Sequence, residues 1–208
     1  MTTFEGFPSE AFTFFTQLAR NNKREWFLAH KDSYERACRE PMKELVAEFG
    51  VDPDSTWITR INRDLRFTKD KSPYRTNIAA VVRDFYLSLS ADGLYVGAGT
   101  YKPEPAALGR LRDAIDDKTK GAALAKIVAS LEKKGYEVDT HERVASAPRG
   151  YAADHPRIEL LRMKDIFAGK TLPKATVSSK KLVPAIKRVM SDVTPLVEWL
   201  KTNVGARP

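Results

Sequence analysis

Apolar residues recur at helical spacing at both ends of this 208-residue chain and alternate with polar residues in its middle, which predicts an α+β fold. Pro8-Ser9-Glu10 opens a first helix carrying Ala11, Phe12, Phe14, Phe15 and Leu18, a face rich enough in phenylalanine to be deeply buried. Asn21-Asn22 ends it, and Asn22 followed three residues later by Glu25 fits a capping box for a second helix. That helix places Trp26, His30 and Tyr34 on one stripe, with Ala37 and Cys38 on the buried side. His30 and Tyr34 are then either pocket walls or part of an ordinary packed face. Pro41 bends or restarts the helix, which continues through Leu45, Val46 and Phe49 to Gly50.

From Trp57 the period changes to two. Trp57, Thr59, Ile61, Leu65 and Phe67 fall on one face, and Arg60, Asn62, Asp64 and Arg66 on the other. Arg63 interrupts the apolar face and predicts a strand end or bulge. Residues 68–73 read as a turn because Pro73 holds Ser72 extended, and 74–82 as a second strand. Phe85, Leu87 and Leu89 alternate in a third, Ala91-Asp92-Gly93 turns the chain, and 94–101 returns. Gly97 and Gly99 between Tyr95 and Tyr101 make a shallow floor for a ligand or for a packed helix. Two helices follow, one with Leu108, Leu111 and Ile115, the other with Leu124, Ile127, Val128 and Leu131 ending at Gly135. Residues 136–138 and 165–168 are short strand candidates and 141–157 an irregular loop. Ser178 or Ser179 caps a helix bearing Leu182, Ile186, Val189 and Met190, and Thr194-Pro195 starts the last one. The expected architecture is a single α+β domain over 1–208, with a central, mostly antiparallel sheet from 57 to 101 flanked by N-terminal and C-terminal helices.

Charge changes the picture. The chain carries a net +8, concentrated in two segments: 7 basic against 2 acidic residues in 58–83, and 11 against 4 in 141–190. A basic surface of this kind draws anionic partners, although it does not by itself select nucleic acid, which is not the favoured partner. Cys38 is the only cysteine, which excludes an intramolecular disulfide and a cysteine-based zinc site. The three histidines lack metal-ligand spacing, so neither a metal nor a cofactor is expected. Gly97-Ala98-Gly99 lies inside a strand and lacks a third glycine, and the run ending Gly169-Lys170-Thr171 has Lys164 where a phosphate loop needs glycine. No apolar run approaches a membrane span and no signal-peptide pattern opens the chain, so a cytoplasmic protein is expected.

The densest chemistry lies between Arg60 and Arg75. Arg60, Arg63, Arg66, Lys69, Lys71 and Arg75 supply planar forks and mobile ammonium groups for carboxylate or phosphate, with hydroxyls from Thr68, Ser72 and Tyr74 beside them. Asp64 and Asp70 orient the cations or serve as a base. The competing reading is an ion-pair lattice that holds a sheet edge in place. Asp154-His155 is the best acid–base pair by sequence, yet adjacent side chains rarely bond to each other, and one of the two is expected to cap the helix near Pro156.

The run from Arg63 to Arg75 resembles the signature of a mainly bacterial family filed as a domain of unknown function, number twenty-four sixty-one. Asn21-Asn22 with Glu25-Trp26-Phe27, Gly99-Thr100-Tyr101-Lys102-Pro103, Tyr151 with Asp154-His155-Pro156, and Pro195-Leu196-Val197-Glu198-Trp199-Leu200 match as well. The resemblance implies an α+β domain and brings no residue roles with it. The functional expectation is a site for a phosphate- or carboxylate-bearing small molecule, with Arg60, Arg63, Arg66, Lys69, Lys71 and Arg75 as anion contacts and Tyr74, Tyr95 and Tyr101 as walls. If turnover accompanies binding, Asp64, Asp70 or His155 supplies the base. The alternatives are a nucleic-acid-binding module using the two basic segments, and an interaction protein in which the charges are structural.

Overall fold

The computed structural model describes residues 4–66 and 69–205. Its fold is α+β, with five strands in the order β1-β2-β3-β5-β4: β1 Asn77–Val82, β2 Phe85–Ser90, β3 Gly93–Gly99, β4 Glu137–Asp139 and β5 Phe167–Pro173. The helices are α1 Glu10–Arg20, α2 Arg24–Ala29, α3 Lys31–Tyr34, α4 Glu40–Ala47, α5 Pro105–Asp116, α6 Lys118–Lys133, α7 Ile158–Leu161, α8 Lys174–Val177 and α9 Leu182–Val204. The chain forms two compact units, Met1–Val96 with Thr171–Arg188, and Gly97–Lys170 with Val189–Pro208.

In the first unit, α1 buries Ala11, Phe12, Phe14, Phe15 and Leu18, as its spacing requires. The second predicted helix is broken. His30 leaves helical geometry between α2 and α3, and a π-helical turn, Glu35–Arg39, precedes α4, with Pro41 in its first turn. Proline has no N–H to donate, so the backbone widens just ahead of it. Tyr34, Ala37, Cys38 and Met42 are buried on this segment, and burial pushes the Cys38 thiol up, away from the reactive thiolate. β1 and β2 pair antiparallel, from Asn77 opposite Ser90 to Val82 opposite Phe85, with Phe85, Leu87 and Leu89 inward.

The predicted strand over 57–67 is not a regular strand. Residues 57–63 run antiparallel to 73–81 as a ribbon with isolated bridges Ile58–Ala80 and Asn62–Tyr74. The bridges lie four positions apart on one side and six on the other, so the chain bulges between Tyr74 and Ala80. Inside–outside alternation holds from Thr59 to Arg66, but Trp57 is exposed rather than buried. Phe67 and Thr68 lie outside the described residues.

In the second unit, α5 and α6 meet at Asp117, whose carboxylate caps α6 by accepting from the Thr119 and Lys120 N–H groups at 2.9 and 2.8 Å. α9 continues unbroken through Pro195, so no separate last helix begins there. Thr194 Oγ1 donates to Met190 O at 2.7 Å within that turn. Gly99 seats neither a ligand nor a helix: a Cβ there would fall on the carbonyl oxygen of Ile166 and the Cα of Phe167, so the glycine serves strand-to-strand approach.

Two alanine substitutions should therefore diverge. Gly99→Ala should lower stability by about 3 kcal/mol through overpacking. Gly109→Ala, on an exposed and open face of α5, should raise it by roughly 0.5–1 kcal/mol through helix propensity. Denaturant midpoints of the two variants against the parent check both signs.

Candidate functional site

The basic ribbon is held by side chains where its ladder fails. Thr59 Oγ1 accepts from the Ala79 N–H at 2.7 Å, and the Thr59 N–H donates to Ala79 O at 2.8 Å, all of it buried. Further along, Asn22 closes an amide clamp on Tyr74: its Nδ2 donates to Tyr74 O at 2.9 Å and its Oδ1 accepts from Tyr74 N at 3.0 Å. This replaces the expected capping role, since the N-cap of α2 is Lys23 and no side chain caps it. The Tyr74 ring stacks on Phe27 with centroids 4.3 Å apart and is buried, so it anchors the ribbon instead of walling an open pocket.

Among the described residues the pairing of the ribbon runs no further than Arg63, whose N–H donates to Pro73 O at 2.9 Å, in keeping with the strand end expected near it. The Arg63 side chain turns inward with 25% exposure, pairs with Asp70 and reaches Ser72 O. Asp70 Oδ1 also accepts from the Ser72 N–H at 2.9 Å, and the Arg63 guanidinium holds the Asp70 carboxyl well below the usual range. Arg66 forks onto Asp64, at 3.0 Å from Nε and 2.7 Å from Nη2, and this guanidinium lowers the Asp64 carboxyl. Lys71 Nζ donates to Leu65 O at 3.0 Å. Arg60, Lys69 and Arg75 are exposed and make no ion pair with a described residue. Trp57 and Tyr86 stand exposed beside the ribbon, ring centroids 6.3 Å apart. Tyr95 is half-buried on β3.

Tyr101 belongs to the second unit, where its neighbours carry chemistry that sequence reading missed. Asp165 is 2% exposed and its carboxylate gathers four donors. Oδ1 accepts from Thr140 Oγ1 at 2.7 Å and the His141 N–H at 2.8 Å, and Oδ2 from the Lys102 N–H at 3.3 Å and His141 Nδ1 at 3.0 Å. Burial raises this carboxyl, but the bonds from Thr140, His141 and Lys102 and the His141 charge outweigh it, so the group sits below its ordinary value. Lys102 reaches the carboxylate with φ +44°, a left-handed backbone unusual for lysine. The available signals were Thr100-Tyr101-Lys102 beyond a strand end and Asp165 before another strand.

His155 does not pair with Asp154. Its Nδ1 accepts from the Arg157 N–H at 3.0 Å and its Nε2 lies 3.2 Å from Asp116 Oδ1, so both ring nitrogens are engaged in fastening the 155–157 turn to the end of α5. Beside that turn lies a cleft of about 440 Å³ lined by Val128, Val138, Ile158 and Met163, with Glu132 and Arg143 among its polar lining. Among the described residues no group of three or more His, Cys, Asp and Glu is placed to hold a metal ion, and no helix is long and apolar enough to cross a membrane.

A family model described as conserved hypothetical protein (DUF2461) matches residues 10–199. No curated protein matches the chain.

Asn22→Ala strands two backbone groups of Tyr74 and should cost about 1–3 kcal/mol in chemical denaturation. Asp165 should make stability fall in acid. Its folded carboxyl is depressed, so its contribution is complete above the unfolded value near ~3.9 and is lost as pH drops through the lower folded value. Denaturation at pH 6 and pH 3 should show a smaller acid loss for Asp165→Asn than for the parent.

Proposed function

The chain belongs to the DUF2461 family, whose description names no activity, and we propose from the site itself that the basic ribbon binds a phosphate- or carboxylate-bearing small molecule. What carries the reading is the division of labour among its cations. Arg63, Arg66 and Lys71 are engaged within the ribbon, while Arg60, Lys69 and Arg75 remain exposed without an ion-pair partner among the described residues. A purely structural lattice would engage all six. Bonds from Asn22 to Tyr74 and from Thr59 to Ala79 pin backbone next to Arg75 and Arg60, so there the cost of ordering on binding falls on the side chains alone. Asp64 and Asp70 are the orienting groups of this reading. Because both carboxyls are lowered by their arginines, they are orienters in preference to bases.

A second reading is a single-stranded nucleic acid. The exposed Trp57–Tyr86 pair supports it, since bases stack on such rings beside a cationic track.

A thermal-shift series separates the two. Phosphate, sugar phosphates, nucleotides and dicarboxylates at about a hundredfold their dissociation constants should add roughly 2.7 kcal/mol of stability where one binds. The stabilising compound should lose its effect on Arg60→Ala/Arg75→Ala and keep most of it on Trp57→Ala. Binding of oligonucleotides that falls steeply with salt and vanishes in Trp57→Ala would favour the second reading. A flat panel with an unchanged melting temperature in the double variant would remove both.

A further inference from the structure

The Asp165–His141 pair contains more than a structural fastening needs. Asp165 is buried, and three donors besides the imidazole already serve its two oxygens: Thr140 Oγ1, the His141 N–H and the Lys102 N–H. A backbone staple would be complete with those. The imidazole is the fourth partner, and its side chain is 44% exposed while the carboxylate it touches is 2% exposed. It stands between two rings, Tyr101 edge-on at 4.9 Å and Phe167 at 4.6 Å. Tyr101 is 64% exposed, so its ring does no core packing, and the Lys102 ammonium lies 5.3 Å from its centroid. The inner ring nitrogen is thus tied to a buried anion, and an exposed aromatic ring that itself carries a nearby cation packs edge-on against the imidazole.

We infer that His141 is a proton-transfer site: Asp165 holds the ring with its proton on Nδ1, and the lone pair on Nε2 takes a proton from a hydroxyl group, of water or of an alcohol, beside Tyr101. The carboxylate can only accept, so Nδ1 must donate, and the neutral ring is left with Nε2 as its acceptor nitrogen on a side chain 44% exposed. In the transfer the O–H bond of the acid breaks and an N–H bond forms at Nε2. Nδ1–H stays donated to Asp165, and the imidazolium later returns the proton to solvent or to a leaving group. Asp165 acts here as a positioning residue.

The other histidines provide internal comparison. Both ring nitrogens of His155 are engaged, and His30 Nδ1 bonds Trp26 O at 2.7 Å with no carboxylate behind it. Nitrogen-15 NMR of the full chain, at a pH where the imidazoles are neutral, should find His141 in the Nδ1–H form, the minor one for free imidazole. Diethyl pyrocarbonate, located by mass spectrometry, should modify His141 faster than His30 or His155. In that reaction Nε2 forms a bond to a carbonyl carbon and ethyl carbonate leaves. Asp165→Asn preserves an acceptor for the Thr140 and His141 donors but turns an amide N–H toward Nδ1. The ring should then switch to Nε2–H, and His141 modification should fall at least about tenfold. An Nε2–H tautomer in the parent overturns the proposal whether or not the variant folds. So does unchanged modification of His141 in a folded Asp165→Asn.

Discussion

Backbone hydrogen bonding beyond the ends of the regular strands is the constraint on which this structure depends. A buried N–H or C=O without a partner costs about as much as a lost hydrogen bond, and a sheet supplies partners only while its ladder continues. Among the described residues the buried polar side chains are Thr59, Thr100 and Asp165, and each takes over where a ladder stops. Thr59 closes a buried loop of bonds with Ala79. Thr100 does the same with Ile166, its hydroxyl accepting from the Ile166 N–H at 3.0 Å while its own N–H donates to Ile166 O at 2.8 Å. Asp165 serves two backbone N–H groups and two side chains at once. Asn22 belongs to the same set although it is only partly buried.

These repairs place polar chemistry at the surface on rigid footings. In the first unit the clamp on Tyr74 and the Thr59–Ala79 pair fasten a ribbon that no regular ladder holds, and that ribbon carries the basic run. The exposed pair Arg66–Asp64 has little leverage on stability in high dielectric, and the half-exposed Arg63–Asp70 pair ties the ribbon to the turn after it. In the second unit the carboxylate that satisfies the backbone also grips an imidazole open to solvent. In both, the groups that contact water are preset by groups that do not.

Particular residues show how far the chain could be read in advance. The inward–outward alternation from Thr59 to Arg66 was legible, and even Arg63, an apparent violation, keeps its register because Asp70 and Ser72 accept its guanidinium. Asn22 satisfied a local capping pattern, but a partner 52 residues away outcompeted the cap. Pro195 carried a local signal for a helix start, yet α9 buries Val189, Val193, Leu196, Val197 and Leu200 along one continuous run, and packing overrode that signal. Asp165 offered only its place just before a strand as a local sign, because its partners lie 24, 25 and 63 residues away in the sequence.

The sequence by itself determined the α+β class, the helices with strong apolar periodicity, the hairpin strands and the concentration of cations between Arg60 and Arg75. All of these follow from spacing along a few turns or a few strand residues, where neighbours in the chain are neighbours in space. Tertiary structure alone decided which cations are spent on internal partners, that Gly99 admits a strand, that His155 is fully engaged, and that His141 meets a buried carboxylate. Each of those outcomes is a contact between distant residues, made only once burial forces polar groups to find partners wherever the fold brings them.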